Sequence, residues 1–298
     1  MKWVIVVLCM FLLEEIAELL YKRTNVYKIS LGGCEHFYNV PNDLDIVNTG
    51  SGPGLYAISY NECKLKGFNF ATAPQNYKYA FRLLKRFQNH IKPGAIVIIV
   101  IMSPLSFADN KDYLRPDYSD RFYGILPKED IDGYSIKRLW ISSHPLSTRV
   151  IRKIKSLFLE PSETTANNTE EPGVVRIWKH EFNLGNLLDS EQASFHEEAF
   201  KNKINILQNG INFCRSKHWM PVFVIPPVPE KTRKYVGADF LDAFVYKNLE
   251  LLMNNNPDIK LFDYYDDDRF KELDFKNDIF MNEQGRKKFS QILFSEIM

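Results

Sequence analysis

The sequence predicts an α/β fold in which a mainly parallel β-sheet is covered by helices. From about residue 44 onward, short apolar runs rich in β-branched residues alternate with stretches of helical periodicity, which is the pattern of a parallel sheet buried on both faces. The chain has 298 residues, 45% hydrophobic and 14% aromatic, so it can bury one large core. We expect five strands, at Ile46–Asn48, Gly67–Ala71, Ala95–Met102, Pro221–Ile225 and Ile259–Phe262.

Apolar stripes at helical spacing predict the helices that cover this sheet. The three clearest stripes are Tyr77, Phe81, Leu84, Phe87 and Ile91; Phe200, Ile204, Leu207, Ile211 and Cys214; and Phe289, Ile292 and Leu293. Asn282 is a suitable N-cap for the last helix. We expect a single domain over residues 24–298, with an insertion around residues 105–195 that contains a polar surface loop, Glu160–Gly173.

The first 23 residues differ in character from the rest of the chain. Lys2 precedes an unbroken apolar run, Trp3–Leu13, and Glu14, Glu15 and Glu18 interrupt its continuation. A positive start before about 7–15 apolar residues is typical of a signal peptide, whereas a transmembrane helix needs about 20. We therefore expect residues 1–23 to be a signal peptide or an uncleaved signal anchor, with an amphipathic or core helix as the alternative. No small-x-small cleavage site follows the run, which favours retention, contact with the cell membrane through this segment and an extracytoplasmic domain. Cleavage would instead make the protein secreted.

Charge and cysteine usage argue against several functional classes. The 38 basic and 37 acidic residues nearly cancel, and no basic run carries interleaved aromatics, so we expect no nucleic-acid partner. Cys34, Cys63 and Cys214 lack CxxC or paired Cys/His spacing, which indicates buried free thiols, with a Cys34–Cys63 bridge as the alternative. The acidic segment Phe262–Arg269 fits a solvated loop, with a calcium site as the alternative. We expect no cofactor and no metal.

A glycine-rich turn after the first predicted strand is the first candidate site. In Asp45-Ile-Val-Asn-Thr-Gly-Ser-Gly-Pro-Gly54, Ser51 stands at the tip, where a nucleophile or an oxyanion hole is often built. Ligands of open α/β sheets bind beyond the carboxyl ends of the strands, where Gly50 and Gly52 can aim N–H groups at an anion. The phosphate-loop ending GK[ST] and the dinucleotide pattern G-x-G-x-x-G are both absent. The turn therefore gives little support to nucleotide binding.

The order and spacing of four segments resemble the SGNH (GDSL-like) hydrolase superfamily from about residue 44 onward. These segments are Asn48–Tyr56, Gly67–Ala71, Pro221–Pro227 and Phe275–Gly285. The chain looks most like the membrane-anchored branch in bacterial cell-envelope polysaccharide clusters, which includes relatives of teichoic-acid D-alanylation proteins. The resemblance implies a three-layer α/β/α sandwich of the flavodoxin-like kind. It also implies acyl (acetyl) transfer to a glycan or ester hydrolysis on it, with polysaccharide or acylated glycan as ligand and a membrane acyltransferase as a further partner.

The same resemblance places the catalytic positions on residues that lack catalytic groups. Relatives carry Gly-Ser-Ser-His-Gly or Gly-Asp-Ser in the turn, so the nucleophile position falls on Gly52, with Ser51 one residue early. The late motif Asp-x-x-His-Leu-Asn-x-x-Gly places the aspartate on Asn277 and the histidine on Phe280. Asn69, together with the glycines of the turn, takes the oxyanion or substrate-binding position.

Two functions therefore remain open. A serine hydroxyl is a poor nucleophile without an oriented base, and none of the six histidines has an acidic residue three positions before it. One hypothesis is an SGNH-type esterase or O-acyltransferase in which a base from elsewhere, such as His144 or Asp278, assists Ser51. The other is a catalytically inactive SGNH pseudoenzyme that binds glycan or an acyltransferase partner without turnover.

Overall fold

The computed structural model describes residues 2–61, 63–101, 106–108, 116–157 and 171–298. The chain divides into two compact units. Unit 1 comprises Met1–Tyr38 and Arg115–Asn168, and unit 2 comprises Asn39–Leu114 and Thr169–Met298. The described part of unit 1 is helical, and the described β-sheet lies wholly in unit 2.

Unit 2 is built on a five-stranded parallel sheet with the strand order β2-β1-β3-β4-β5. The strands are β1 (Leu44–Asn48), β2 (Gly67–Asn69), β3 (Ile91–Val100), β4 (Met220–Ile225) and β5 (Leu261–Asp263). Each lies at a predicted position, with ends that differ by a few residues. The predicted α/β class with a parallel sheet is confirmed.

The helices are numbered along the whole chain. They are α1 (Lys2–Lys22), α2 (Asn25–Ser30), α3 (Gly52–Ala57), α4 (Tyr77–Arg86), α5 (Pro116–Ser119), α6 (Ile136–Ser143), α7 (Pro145–Leu157), α8 (Gly173–Phe182), α9 (Glu197–Ser216), α10 (Glu230–Arg233), α11 (Ala238–Leu241), α12 (Lys247–Asn254) and α13 (Glu283–Ile297). A π-helical stretch, Asp242–Tyr246, joins α11 to α12. Short 3-10 turns lie at Cys34–Asn39, Gln88–His90, Asp120–Phe122, Lys128–Asp130, Glu191–His196 and Glu272–Asp274.

The two faces of the sheet are covered by different helices, which gives the three-layer α/β/α arrangement. Successive side chains of a strand point to opposite faces. Ile46 and Ile98 share one buried cluster with Phe289 of α13. Val97 and Phe223 point to the opposite face of the sheet and are fully buried there. On that face, α9 packs on β4, and α4 packs on α9. The predicted stripes of α4, α9 and α13 therefore face the core.

The start of β3 corrects one prediction from the helical stripes. We expected Ile91 to continue the helix that begins at Tyr77, but α4 ends at Arg86 and Ile91 is the first residue of β3. Ile91 pairs with Leu44, and the register shifts before the next pair of residues. Gly94 adopts a φ of +81° within this irregular stretch, a conformation that suits glycine. The strand therefore includes a segment whose proline and glycine are typical of a loop.

Three further expectations concern segments outside the sheet. Most of the predicted surface loop, Glu160–Gly173, lies outside the described residues. The four cysteines are free, so the Cys34–Cys63 bridge is absent. Within the described helices, α1 included, none combines the length and apolarity that crossing a membrane requires.

Candidate functional site

The candidate site lies at the carboxyl edge of the sheet, in the turn between β1 and α3. From β1 the chain forms β2 on one side of this strand and then β3 on its other side, so the strand order reverses at β1. Ligands of open α/β sheets bind at such a reversal, outside the carboxyl ends of the strands. Ser51 is the N-terminal flanking residue of α3, and Gly52 is its first residue. The sequence therefore places its glycine-rich turn where the topology favours a ligand.

Gln75 fixes the shape of this turn. Its side-chain oxygen accepts a hydrogen bond from Gly50 N at 2.9 Å, and its backbone N–H donates to Ser51 Oγ at 3.2 Å. Gly50 has a φ of +131°, and a Cβ there would lie 2.8 Å from Val100 Cβ. Glycine is therefore required at this position by both conformation and space. The Gly50 N–H is already paired within the chain, so the geometry gives it a structural role in place of the predicted oxyanion role.

Phe280 packs directly against Gly52. A Cβ added to Gly52 would lie 2.5 Å from Cε1 and 2.6 Å from Cζ of the Phe280 ring. The ring also contacts Tyr56 on α3, with 4.7 Å between the two ring centroids. The structure thus brings together the two positions that the SGNH resemblance assigns to the nucleophile and the histidine. Their side chains are a hydrogen atom and a phenyl ring, and neither can transfer a proton.

Asn277 holds the loop that carries Phe280. Its side-chain oxygen accepts the backbone N–H of Ile279 at 3.1 Å and that of Phe280 at 2.7 Å. The backbone N–H of Lys276 donates to Phe280 O at 2.9 Å, and Phe275 and Met281 form an antiparallel bridge. The loop is therefore a closed turn, and Asn277 stabilises its backbone at the position where the SGNH motif has an aspartate.

Asn69 also braces the backbone. Its amide nitrogen donates to Gly54 O and to Ile58 O, each at 3.1 Å, and its oxygen accepts from Asn48 Nδ2 at 2.8 Å and from Ala71 N at 2.9 Å. Both ends of the amide are used, so the predicted oxyanion or substrate-binding role of Asn69 has no free donor in this structure. The side chain instead ties the end of β2 to both ends of the segment that contains α3.

Ser51 has no base. All six histidines lie in the described part of the chain, and none forms a hydrogen bond with the Ser51 hydroxyl. The His144 ring nitrogens contact Trp140 O and Glu15. The Asp278 carboxylate binds Lys231 Nζ at 3.0 Å and the Gly173 N–H at 3.1 Å. Neither candidate base from the sequence is paired with the serine.

An apolar cleft opens beside the Phe280 ring. Its lining consists of Pro53, Ala57, Pro226, Pro227, Val228, Ile279, Phe280 and Met281. These residues come from α3, from the segment after β4 and from the Asn277–Met281 loop, so the cleft lies at the carboxyl edge of the sheet. Its walls suit a small apolar group.

A cation stands next to the two aromatic rings. Lys276 Nζ lies 3.5 Å from the centroid of the Tyr56 ring and 5.4 Å from that of Phe280. Burial, and then the positive charge of Arg286, lowers the pKa of the Lys276 ammonium group. Arg286 itself donates two hydrogen bonds to Ile58 O, at 2.6 and 3.0 Å. The rim thus combines ring faces with positive charge, a feature that motif reasoning missed because Lys276 was only a spacer in the late motif.

Comparisons with known proteins identify no family for this chain. No protein-family model matches it, and no curated protein matches it. The function is therefore inferred from the geometry of the site together with the motif resemblance.

The acidic segment Phe262–Arg269 is paired with basic side chains of the chain itself. Asp267 Oδ2 lies 2.5 Å from Nη2 of Arg269, and Asp266 pairs with Arg233. Within the described ranges, no group of histidine, cysteine and carboxylate side chains could hold a metal ion. The geometry therefore favours the paired surface loop over the calcium site at this segment.

Proposed function

We propose that this chain is a catalytically inactive SGNH-like protein that binds an acylated, in the simplest case acetylated, glycan of the bacterial cell envelope. The observation that carries the proposal is the contact between Gly52 and the Phe280 ring. Nucleophile and base positions of a serine esterase must lie within hydrogen-bond reach of each other. Here the two positions are adjacent, but both functional groups are missing, which is the arrangement expected where a catalytic cleft has been kept for binding.

The chemistry of the cleft supports an acylated sugar as the ligand. An acetyl methyl group is small and apolar, and the cleft beside Phe280 is lined by proline and aliphatic side chains. Sugar rings pack on aromatic faces, and the Tyr56 and Phe280 rings lie in contact beside the cleft, with Lys276 Nζ over one face of Tyr56. Lys276 adds a donor of hydrogen bonds and a positive charge for hydroxyl or acidic groups of the glycan. The envelope location of this glycan comes from the motif resemblance.

An acyltransferase or esterase that uses Ser51 is the second candidate. Ser51 Oγ accepts a hydrogen bond from Gln75 N, and no described residue accepts a hydrogen bond from the Ser51 hydroxyl group. This hydroxyl group is therefore available to donate a hydrogen bond to a ligand. Without a base, the oxyanion hole and binding together typically leave only about 10³–10⁴-fold acceleration over water, which is too little for an efficient esterase.

Turnover of p-nitrophenyl acetate distinguishes the two candidates. We expect the wild-type chain to hydrolyse the ester no faster than a Ser51→Ala variant does. Gly52→Ser, Phe280→His and Asn277→Asp together restore the serine, histidine and aspartate of the SGNH pattern, and we expect this triple variant to be active. Wild-type turnover that Ser51→Ala abolishes would establish an enzyme and overturn the proposal.

Ligand binding tests the proposal directly. Isothermal titration with an acetylated oligosaccharide and its deacetylated counterpart should show tighter binding of the acetylated form, by about tenfold per acetyl methyl group that enters an apolar pocket. Tyr56→Ala should weaken this binding several-fold through the loss of ring contact. Phe195→Ala is the matched control, because Phe195 is an aromatic residue of unit 2 that is 83% exposed and outside the cleft. Equal affinity for the two oligosaccharides would contradict an acyl-binding cleft.

A further inference from the structure

Lys276 has no carboxylate partner among the described residues, although acidic side chains stand on both sides of it in the sequence. Asp278 pairs with Lys231, and Asp274 pairs with Lys288, each at 3.0 Å. The acidic side chains that are nearest to Lys276 in the sequence are therefore bound by other lysines. Lys276 is left without an ion pair inside the described chain and is available to an anion from outside.

Arg286 is a second cation of this kind. Its Nε and Nη2 donate to Ile58 O, at 3.0 and 2.6 Å, which holds the guanidinium group at the end of α3. A guanidinium group has five N–H donors, so three remain without a partner in the described chain. Burial lowers the pKa of Arg286, and the charge of Glu283, three positions earlier on α13, partly opposes this effect. The two side chains nevertheless form no ion pair.

The Tyr56 ring lies between the functions of these two cations. Lys276 Nζ is 3.5 Å from the centroid of this ring, a cation–π contact that holds the ammonium group in place. Burial, and then the positive charge of Arg286, lowers the pKa of Lys276, so the two cations are close enough to repel each other. Like charges without an acidic group to balance them disfavour the charged forms of both. A bound anion would reverse this effect.

We propose that Lys276 and Arg286 form an anion subsite that binds a carboxylate or phosphate group of the ligand beside the acyl cleft. Both groups offer oxygen atoms that a guanidinium edge binds in pairs and that an ammonium group binds as a point charge. Ala57 and Phe280 line the cleft, and Lys276 Nζ lies 5.4 Å from the centroid of the Phe280 ring. One ligand can therefore place an acyl group in the cleft and a negative charge at the subsite. This inference rests on the proposed function and narrows its ligand to an acidic acylated glycan.

Inorganic phosphate tests the subsite without a glycan. At constant ionic strength, replacing chloride with phosphate should raise the thermal midpoint of the full-length chain, because an anion that binds the folded state stabilises it. Phosphate also stabilises proteins by exclusion from their surfaces, so the comparison of variants decides. Lys276→Gln should show a smaller increase than wild type. Lys217→Gln is the matched control, because Lys217 Nζ also lies beside an aromatic ring, 5.8 Å from the centroid of Phe213, at the end of α9. Equal increases for wild type and Lys276→Gln would overturn the proposal.

Isothermal titration identifies the anion on the ligand. An acetylated oligosaccharide with a uronic carboxylate should bind about tenfold more tightly than its methyl ester, which lacks the charge. A phosphorylated oligosaccharide is the second arm, and the tighter of the two charged ligands identifies the anion. Lys276→Gln should remove the preference for charge, and Lys276→Arg should retain it. Arg286→Lys keeps the positive charge and should weaken binding of the charged ligands alone, because it loses the paired hydrogen bonds. Equal affinity for the charged and neutral forms would refute the subsite.

Neutral oligosaccharides keep this test separate from that of the proposed function. The preference for an acetylated over a deacetylated neutral oligosaccharide depends on the cleft and not on the two cations. A phosphate effect without an acetyl preference would refute the proposed function and support the subsite for another anionic ligand. An acetyl preference without any effect of charge would refute the subsite alone.

Discussion

A methyl group at Gly52 tests whether the Phe280 ring fills the space that a side chain at this position would need. Gly52 is buried, and the Cβ of Gly52→Ala would lie 2.5 Å from Cε1 and 2.6 Å from Cζ of the ring. Overpacking of this kind costs about 1–3 kcal/mol. Alanine also restricts the unfolded chain, which stabilises by about 0.4–1 kcal/mol where the backbone accepts it. We expect the free energy of unfolding in urea to fall by about 1–2 kcal/mol.

The ring itself provides the second half of this test. Phe280→Ala removes the atoms that the new methyl group would meet, so Gly52→Ala should be neutral or slightly stabilising in that background. The coupling energy of the double-mutant cycle should reach about 1–3 kcal/mol, as for residues in direct contact. Gly185→Ala is the matched control, because the nearest atom to its new Cβ would be Gln192 Oε1 at 3.7 Å. Equal destabilisation by Gly52→Ala in both backgrounds would refute the reasoning.

Three further predictions concern the side chain of Asn48, the loss of stability at acidic pH and the reactivity of the Cys34 thiol. Asn48→Ala should cost about 1–3 kcal/mol in urea unfolding, because it removes a buried partner of Asn69, and a neutral effect would contradict the bracing role. The hydrogen bond from Tyr264 lowers the pKa of Glu296. The stabilisation that the ionised Glu296 side chain provides is therefore present above the ordinary carboxyl range and is lost as pH falls. In a pH series of urea unfolding midpoints, Glu296→Gln should reduce the loss of stability on the acidic side. Burial raises the pKa of Cys34 to about 12, so this thiol should remain unlabelled by a disulfide reagent at pH 8 until the protein unfolds.

The sheet could be predicted because most residues of its central strands, β1, β3 and β4, are buried on both faces and so form continuous apolar runs. β4 differs from its prediction by a single residue at the start. The start of β3 could not be predicted, because Lys92-Pro93-Gly94 has loop composition and only the pairing of Ile91 with Leu44 makes it a strand. That pairing is a tertiary contact, which local periodicity does not contain.

The site was predictable in its positions but not in its hydrogen bonds. Motif spacing identified Gly52 and Phe280, and the structure places them in contact. The role of Gln75 was missed, because this residue belongs to no motif and reaches the turn from 24 positions away. Asn69 was predicted to face a ligand, but Asn48 lies beside it at the end of the neighbouring strand and directs its amide toward the backbone. The side chain at the end of a strand can serve either purpose, and only its neighbours decide between them.

Compared with the SGNH pattern, Asn277 and Phe280 fill positions of an aspartate and a histidine with side chains that carry no titratable group. The oxygen of Asn277 holds the loop through two backbone N–H groups, a role that an aspartate would also fill. The Phe280 ring packs on Gly52 as an imidazole ring could, but it offers no nitrogen to a serine. Phe280→His alone should therefore keep the fold and remain inactive toward p-nitrophenyl acetate, because an imidazole without a serine beside it and a carboxylate to orient it lacks two of its partners. Adding Gly52→Ser should give weak turnover, and Asn277→Asp should then raise it by orders of magnitude, since a triad aspartate orients the base and stabilises its charged form. Full activity from the first substitution alone would mean that Ser51 already serves as the nucleophile and that the site lost only its base.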